Sequence, residues 1–347
     1  MKILITGITG RIGANVAQSF IDSGHEVTGF VWPGDPQIKK MEMLGCKIIQ
    51  GDLIDLDAVK DGVNDQNYVF HLGAAFQAGG PFSPSQYFDT NVKGTFNVLE
   101  ACKESESISH LIVTSTDGTI PKYPEGGIEE PIAEFSLPQD VTDWYGYSKI
   151  LAENLCRRFY HGEKLPVTVL RFSMVMGRGE VCGWSQFYTG HFIELLQGIS
   201  GVKSSDALKV LQDFKSEGKE LIVPRDVNGR SWKKHVIDIR DIVHAYENIA
   251  GNLSTLGKTY QIAGKEPFLW ENAIPRLSEI TGLDYCSSNL PINPTFYEFD
   301  LSASKRDFGF NPIWDIGKMM EDDFNVNEED NRDVIPTDEE FRREYKI

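Results

Sequence analysis

One stretch, Thr6-Gly7-Ile8-Thr9-Gly10-Arg11-Ile12-Gly13, constrains this chain more than any other because of what stands on either side of it. Leading into it, Lys2-Ile3-Leu4-Ile5-Thr6 is a short run of the kind that forms a strand buried on both faces. After it, Ile12, Val16, Phe20 and Ile21 recur at helical spacing, so a helix opens at the last glycine. Glycines in a strand-to-helix turn let the backbone bend tightly and come close to a pyrophosphate, which rests on the N–H groups and positive dipole end of the helix. Between these flanks the turn reads as a dinucleotide-binding loop carried by Gly7, Gly10 and Gly13, with Arg11 and Ile12 between the last two.

The first half of the chain continues the alternation. Strands are expected at 26–31, 46–50, 67–72, 110–114 and 166–172, and helices at 57–63, 91–102 and 146–160. That order implies parallel crossovers, hence an α/β, doubly wound parallel sheet with helices on both faces. After Gly177 the rhythm changes. Residues 183–220 read as mostly helical with an interruption at 198–201, and 234–250 with 258–263 return one more helix and strand to the sheet. The expected division is a dinucleotide-binding domain of residues 1–172 and 233–263 and a smaller, discontinuous substrate domain of 173–232 and 264–347. The acidic run at 321–333 is expected to be a solvated, partly disordered end.

The 347 residues carry 51 acidic against 34 basic side chains, a formal net charge of −17. That balance argues against nucleic acid or an anionic membrane as the main partner, since either needs a broad basic face. No apolar run reaches the roughly 20 residues of a membrane span, and Met1 to Gly7 breaks into glycines too early for a signal sequence. Cys46, Cys102, Cys156, Cys182 and Cys286 are odd in number and scattered, which gives neither a metal pattern nor a disulfide framework. A soluble cytoplasmic enzyme without a metal is expected.

Two further clusters carry chemistry. Tyr145 and Lys149 stand four apart and share a helix face, where an ammonium beside a phenol favours the phenolate and makes Tyr145 a proton acceptor for an alcohol. The spacing by itself fits a surface Tyr–Lys pair better. Thr114, Ser115 and Thr116 end a central strand at the edge where open α/β sheets bind ligands, although hydroxyls there also cap loops.

Taken together, these residues resemble the extended short-chain dehydrogenase/reductase family, in its NAD-dependent epimerase/dehydratase branch. The resemblance runs through Gly51-Asp52-Leu53, Val69 to Ala75, Asn91-Val92-Lys93-Gly94-Thr95, Leu170-Arg171-Phe172 and His235-Val236-Ile237-Asp238. It implies a Rossmann fold in which Tyr145 is the acid/base, Lys149 its activator and a ribose ligand, and Thr116 the hydroxyl that bonds the reacting oxygen. Asp52 and Leu53 would then meet the adenine, Ala74 and Ala75 border the cofactor, and Asn91 belong to the supporting network. Gln77, Ser115, Asp117, Met174 and Arg230 would join Thr116 around the substrate.

The chain departs from the family pattern in four places. Val31 stands where NAD-preferring members carry an acidic ribose ligand, and Trp32 where NADP-preferring members carry Arg. Without that Arg the expectation is NAD, with NADP not excluded and Lys39 and Lys40 downstream; Trp32 is a candidate cover for the adenine. Gly118 replaces the Glu that dehydratases use after their Thr-Asp, which argues against dehydration. Met174 replaces an Asn that serves a substrate pyrophosphate, and Arg230 stands one residue further from His235 than usual. The resemblance implies an epimerase of a sugar or nucleotide sugar, with a net dehydrogenase or reductase of a free sugar or sugar acid as the alternative and a non-catalytic dinucleotide sensor as a minor one. A homodimer is also implied.

Overall fold

The computed structural model describes residues 1–76, 80, 82–199, 202–325 and 334–335. Its centre is a seven-stranded, all-parallel sheet. The strands are β1 (Lys2–Thr6), β2 (Glu26–Val31), β3 (Lys47–Gln50), β4 (Tyr68–His71), β5 (His110–Thr116), β6 (Val167–Phe172) and the edge strand Thr259–Ile262. The order from that edge is Thr259–Ile262, β6, β5, β4, β1, β2, β3, so the chain reverses direction across the sheet between β1 and β4. Ligands of open parallel sheets bind at such a switch, outside the C-terminal strand ends.

Two apolar layers sandwich the sheet. On one side α1 (Arg11–Asp22) and the helix Ile239–Ile249 bury Val16, Phe20, Ile242 and Tyr246 against Ile3, Ile5, Phe70 and Ile112. On the other, helices Leu56–Val63, Gly94–Glu104 and Trp144–Glu163 bury Val59, Leu99 and Phe159 against Leu4, Val69 and Leu111. The alternation of inward residues along β1 therefore splits between two cores, as expected for a strand covered on both faces.

A separate aromatic core gathers Trp184, Phe187, Phe192, Trp232, Phe268 and Trp270 with Met319 and Met320. It packs around helices Thr189–Gln197, Trp270–Thr281 and Ile316–Phe324 and the parallel pair Lys219–Arg225 with Asp284–Asn289. Residues 183–220 are mostly helical as expected, with the 3-10 turn Ser185–Phe187 and the helices Thr189–Gln197 and Val202–Ser216 on either side of the expected interruption, but the strand Lys219–Arg225 was not expected. Val236–Asp238 pairs with Met174–Met176 in a small sheet of its own. Most of the acidic run expected to be disordered, 326–333, lies outside the described residues. Among the described residues, no helix is long and apolar enough to cross a membrane.

Candidate active site

The glycine loop is shaped by contact with its own protein at two of its three glycines. Gly7 has φ +68°, and a Cβ there would meet Gly73 N at 2.7 Å; a Cβ on Gly13 would meet Gly7 O at 2.3 Å. Gly10 differs. A Cβ on it would touch only Gly7 O, at 3.4 Å, so its freedom is not demanded by neighbouring chain. No side chain caps the first turn of α1, and that turn holds no acidic residue, which leaves its amides open towards an anion. These features fit a dinucleotide pyrophosphate. Arg11 points away from the loop, donating to Val175 O at 2.7 Å and pairing with Glu180 at 2.8 Å, while Ile12 packs on the apolar layer.

Beyond β2, Val31 is buried and Trp32 is 43% exposed. The loop that follows is tied to the glycine loop: Thr9 Oγ1 donates to buried Asp35 at 2.7 Å, and Lys40 Nζ donates to Thr9 O at 3.0 Å. Asp35 was not anticipated as part of this edge. Asp52 is exposed and accepts from Ile54 N at 3.0 Å, whereas Leu53 packs over Gly73 and Gly94 and its carbonyl accepts from Asn97. Ala75 is buried beside the half-buried Ala74, and its carbonyl accepts from Asn91 Nδ2 at 2.8 Å. Gln77 lies outside the described residues.

Asn91 sits in a π-helical turn, Phe88–Lys93, a geometry often found at functional sites. Its amide also donates to Ser148 Oγ at 2.9 Å, but its side-chain oxygen is buried with no hydrogen-bond partner. Lys149, one turn beyond Tyr145 on the helix Trp144–Glu163, is 4% exposed and makes no ion pair among the described residues. Burial pushes its pKa down to about 8, with Cys156 and Glu153 opposing. An orphaned acceptor and an uncommitted ammonium on one side of the sheet edge again fit a polar ligand there.

The Thr116 side chain acts on the Tyr145 phenol and favours its phenolate. Thr116 Oγ1 also accepts from Gly118 N at 3.1 Å, which fixes the hydroxyl at the end of β5. The expected drop in the phenol's pKa is not found: loss of water around the ring holds it above its usual value, helped by Asp117 and Asp143, against the influence of Thr116. Desolvation of the phenolate is the largest of these influences in this state. Ser115 alternates to the other face of β5. It is buried and donates to Glu153 at 2.5 Å, and Arg171 grips the same carboxylate at 2.8 and 2.7 Å. Ser115 therefore does not join the substrate side, contrary to expectation; the strand's period of two turns it inward.

Asp117 is buried and pairs with Lys122 at 2.7 Å. A Cβ on Gly118 would lie 3.8 Å from the Tyr145 ring, so the missing dehydratase Glu would have stood directly at the site. Met174 packs against the aromatic core. Arg230 is committed elsewhere: it pairs with Glu129 and with Asp226, donates to Gly126 O, and lies 3.7 Å over the Phe296 ring. The expected reach of Arg230 to substrate is corrected by these four partners. Lys122 and Lys234, both 5% exposed, were missed. The only sequence signal was two lysines immediately before the His-Val strand, where an apolar residue would suit burial better.

A profile of the NAD dependent epimerase/dehydratase family matches residues 3–263. A 2-alkyl-3-oxoalkanoate reductase of Stenotrophomonas maltophilia is 32% identical over 186 residues, which cover 52% of this chain and 52% of the reductase. The chain thus spans about half the length of that relative. UDP-glucuronate 4-epimerase 1 of Arabidopsis thaliana is 24% identical over 91% of this chain and 74% of its own. Among solved structures, a short-chain dehydrogenase/reductase superfamily protein from Agrobacterium tumefaciens with bound NAD superposes with a TM-score of 0.79 at 24% identity, covering 93% of this chain and 96% of that one. UDP-glucuronic acid 4-epimerase from Bacillus cereus does so at 0.70 and 21%, covering 94% and 98%. Both show the same fold. With the profile running from β1 through the last strand of the sheet, the chain belongs to the NAD dependent epimerase/dehydratase family.

Proposed function

We propose that this chain is an NAD-dependent enzyme that moves hydride to and from a secondary alcohol of a sugar-type substrate, and that it is an epimerase of a sugar or nucleotide sugar. The observation that carries the reading is the placement of Tyr145 at the C-terminal end of β5, where Thr116 acts on its phenol and a Cβ on Gly118 would lie 3.8 Å from its ring, with buried Lys149 one turn on and the glycine loop on the same sheet. Likeness to UDP-glucuronate 4-epimerases over most of the chain supports it.

When bound, the nicotinamide accepts and returns hydride. Gly7, Gly10 and Gly13 with the first turn of α1 would hold the pyrophosphate, and Lys149 the ribose. Asp52 and Leu53 would face the adenine, with Ala74 and Ala75 along the cofactor. NAD is preferred over NADP because Val31 and exposed Trp32 offer a 2′-phosphate no bidentate partner. Tyr145 Oη would take the hydroxyl proton, Thr116 would hold the same oxygen in place, and Lys149 would favour the phenolate. Residues 1–172 and 233–263 form the cofactor domain in this reading, and 173–232 with 264–347 the substrate domain.

A second reading, a net dehydrogenase or reductase of a free sugar, sugar acid or similar alcohol, is favoured by two features. Arg230 is occupied and Met174 is apolar, so the usual anchors of a nucleotide diphosphate are missing. The curated 2-alkyl-3-oxoalkanoate reductases point the same way. The test is to denature purified protein, assay released NAD, and incubate fresh protein with candidate sugars while following reduced-nicotinamide absorbance. Isomer formation without net absorbance change supports the epimerase; stoichiometric NADH from added NAD overturns it in favour of the second reading. We also place the protein in the cytoplasm as a homodimer, supported by exposed Phe88, Phe96, Trp144 and Tyr147 on neighbouring helices. Sedimentation of the purified chain as a monomer would overturn the dimer.

A further inference from the structure

We propose that Lys122 and Lys234 form an anion subsite beside Tyr145 that takes a carboxylate of the substrate. The proposal rests on the hydride-transfer reading above and deepens it by naming a chemical feature of the substrate.

Buried lysines are rare unless paired. Lys122 has a carboxylate partner, Asp117, but Lys234 has none among the described residues. Its ammonium lies 4.8 Å over the Trp184 ring and donates weakly to Gln186 Oε1 at 3.3 Å. Lys122 is backed in the same way by Tyr123 and Tyr297, at 5.4 and 5.8 Å. Aromatic faces orient a cation without cancelling its charge. Asp117 and Lys122 are the charged groups that act on Lys234, so the cluster holds two ammonium groups against one carboxylate. His235 and His191, on the neighbouring strand and helix, are kept neutral by burial and add nothing. One positive charge is left over. It matches a monoanionic carboxylate better than a dianionic phosphate.

The cluster also lies at the right place. Asp117 follows Thr116 directly, stands 3.5 Å from its hydroxyl, and acts electrostatically on both Tyr145 and Lys234. Lys122 Nζ stands 2.7 Å from the same Asp117 oxygen that lies 3.5 Å from the Thr116 hydroxyl, so an anion shared by Lys122 and Lys234 would lie beside the end of β5. Burial pushes the pKa of Lys234 down to about 7, the mark of an ammonium lacking the counter-charge that a bound carboxylate would bring.

The test titrates the full chain, saturated with NAD, by calorimetry with two matched probe pairs, glucuronate against glucose and 3-hydroxybutyrate against 1,3-butanediol, and with inorganic phosphate. In at least one pair the carboxylate is expected to bind about tenfold or more tightly than its neutral partner, the scale of one charge-assisted hydrogen bond. Lys234→Met should remove that preference while NAD affinity and thermal unfolding stay as in wild type, and Lys234→Arg should keep it. Should Lys234→Met unfold, Lys234→Gln carries the comparison. Equal binding within both pairs, no binding by any of the four, tighter binding of phosphate than of either carboxylate, or a preference that survives in Lys234→Met each overturns the subsite. NAD titration and turnover, read as either isomer or NADH formed, are followed in parallel. Their failure with the carboxylate preference intact overturns the hydride-transfer reading and leaves the subsite standing; the reverse outcome removes the subsite alone.

Discussion

Where β1 turns into α1, the cleft is lined by backbone: two glycines locked by neighbouring main chain, a third left open, and helix amides with no side chain over them. Beyond the end of β5 it is lined by buried side chains instead, with Tyr145, Lys149 and Lys234 shifted chiefly by burial and Asp117 paired with Lys122. At Gly7 and Gly13 the first surface tolerates no added side chain, because a Cβ there meets an amide or a carbonyl. The second is retuned by exchanging one side chain for another at constant fold. A common cofactor edge and a variable substrate edge follow directly from that difference in building material.

The strongest way to break the contrast is Tyr145→Phe, which keeps the ring and removes the proton acceptor. Turnover should fall about 10³-fold, within the range of lost acid–base catalysis, while NAD binding by calorimetry is unchanged. A loss below tenfold would take Tyr145 out of the chemistry. On the backbone side, Gly10→Val should weaken NAD binding about 100-fold with little change in Tm, because its Cβ faces ligand space. Gly13→Ala should lower Tm as well, since its Cβ collides with Gly7 O at 2.3 Å. Equal Tm losses in the two variants would mean that Gly10, too, is structural.

Lys149→Met should slow alcohol oxidation about tenfold at pH 7, the effect of about one pKa unit on the phenol. The lysine is charged below its pKa of about 8 and neutral above it, so the advantage of wild type over the variant should be full at pH 7 and shrink as pH rises past 8. A ratio that stays flat from pH 6 to 10 would assign Lys149 to positioning alone. The smallest effect is expected from Arg230→Ala. The side chain ties Glu129, Asp226 and Gly126 together at the surface, so Tm should drop slightly, at about 1 kcal/mol or less, with KM within about twofold. A tenfold rise in KM would return Arg230 to the substrate.

The backbone-built half was legible from sequence because glycines at fixed spacing after a strand have few other uses. The expected bounds of β1 and β2 match the structure, and those of the other sheet strands differ by one or two residues at an end. Lys219–Arg225 escaped because Leu221-Ile222-Val223 is too short an apolar run to separate strand from helix by periodicity. The π turn at Phe88–Lys93 started its helix earlier than the apolar pattern showed, since Asp89 and Asn91 break that pattern for reasons of packing and hydrogen bonding. The side-chain half was legible only at Tyr145, Lys149 and Thr116. Nothing local distinguishes Lys122 from a solvated lysine, Lys234 is marked only by its place just before the His-Val strand, and Ser115 stayed on the substrate list until the pleat of β5 turned it to Glu153.

The strand order has a consequence for the protein during its synthesis. Strands β1, β2 and β3 extend the sheet one way, and β4, β5, β6 and Thr259–Ile262 the other, so each new strand leaving the ribosome finds its neighbour already made. The aromatic core cannot close in that running order. Trp184 and Phe187 emerge long before Trp270, and Met319 and Met320 come later still. Val334 and Ile335 complete the contact with α1, where Ile335 N donates to Asn15 Oδ1 at 2.7 Å and Asn15 Nδ2 returns to Ile335 O at 2.9 Å. A nascent chain of this protein therefore carries a nearly finished parallel sheet while its aromatic core waits for Met319 and Met320 to emerge, a window in which chaperones would meet exposed tryptophan and phenylalanine rather than unpaired strands.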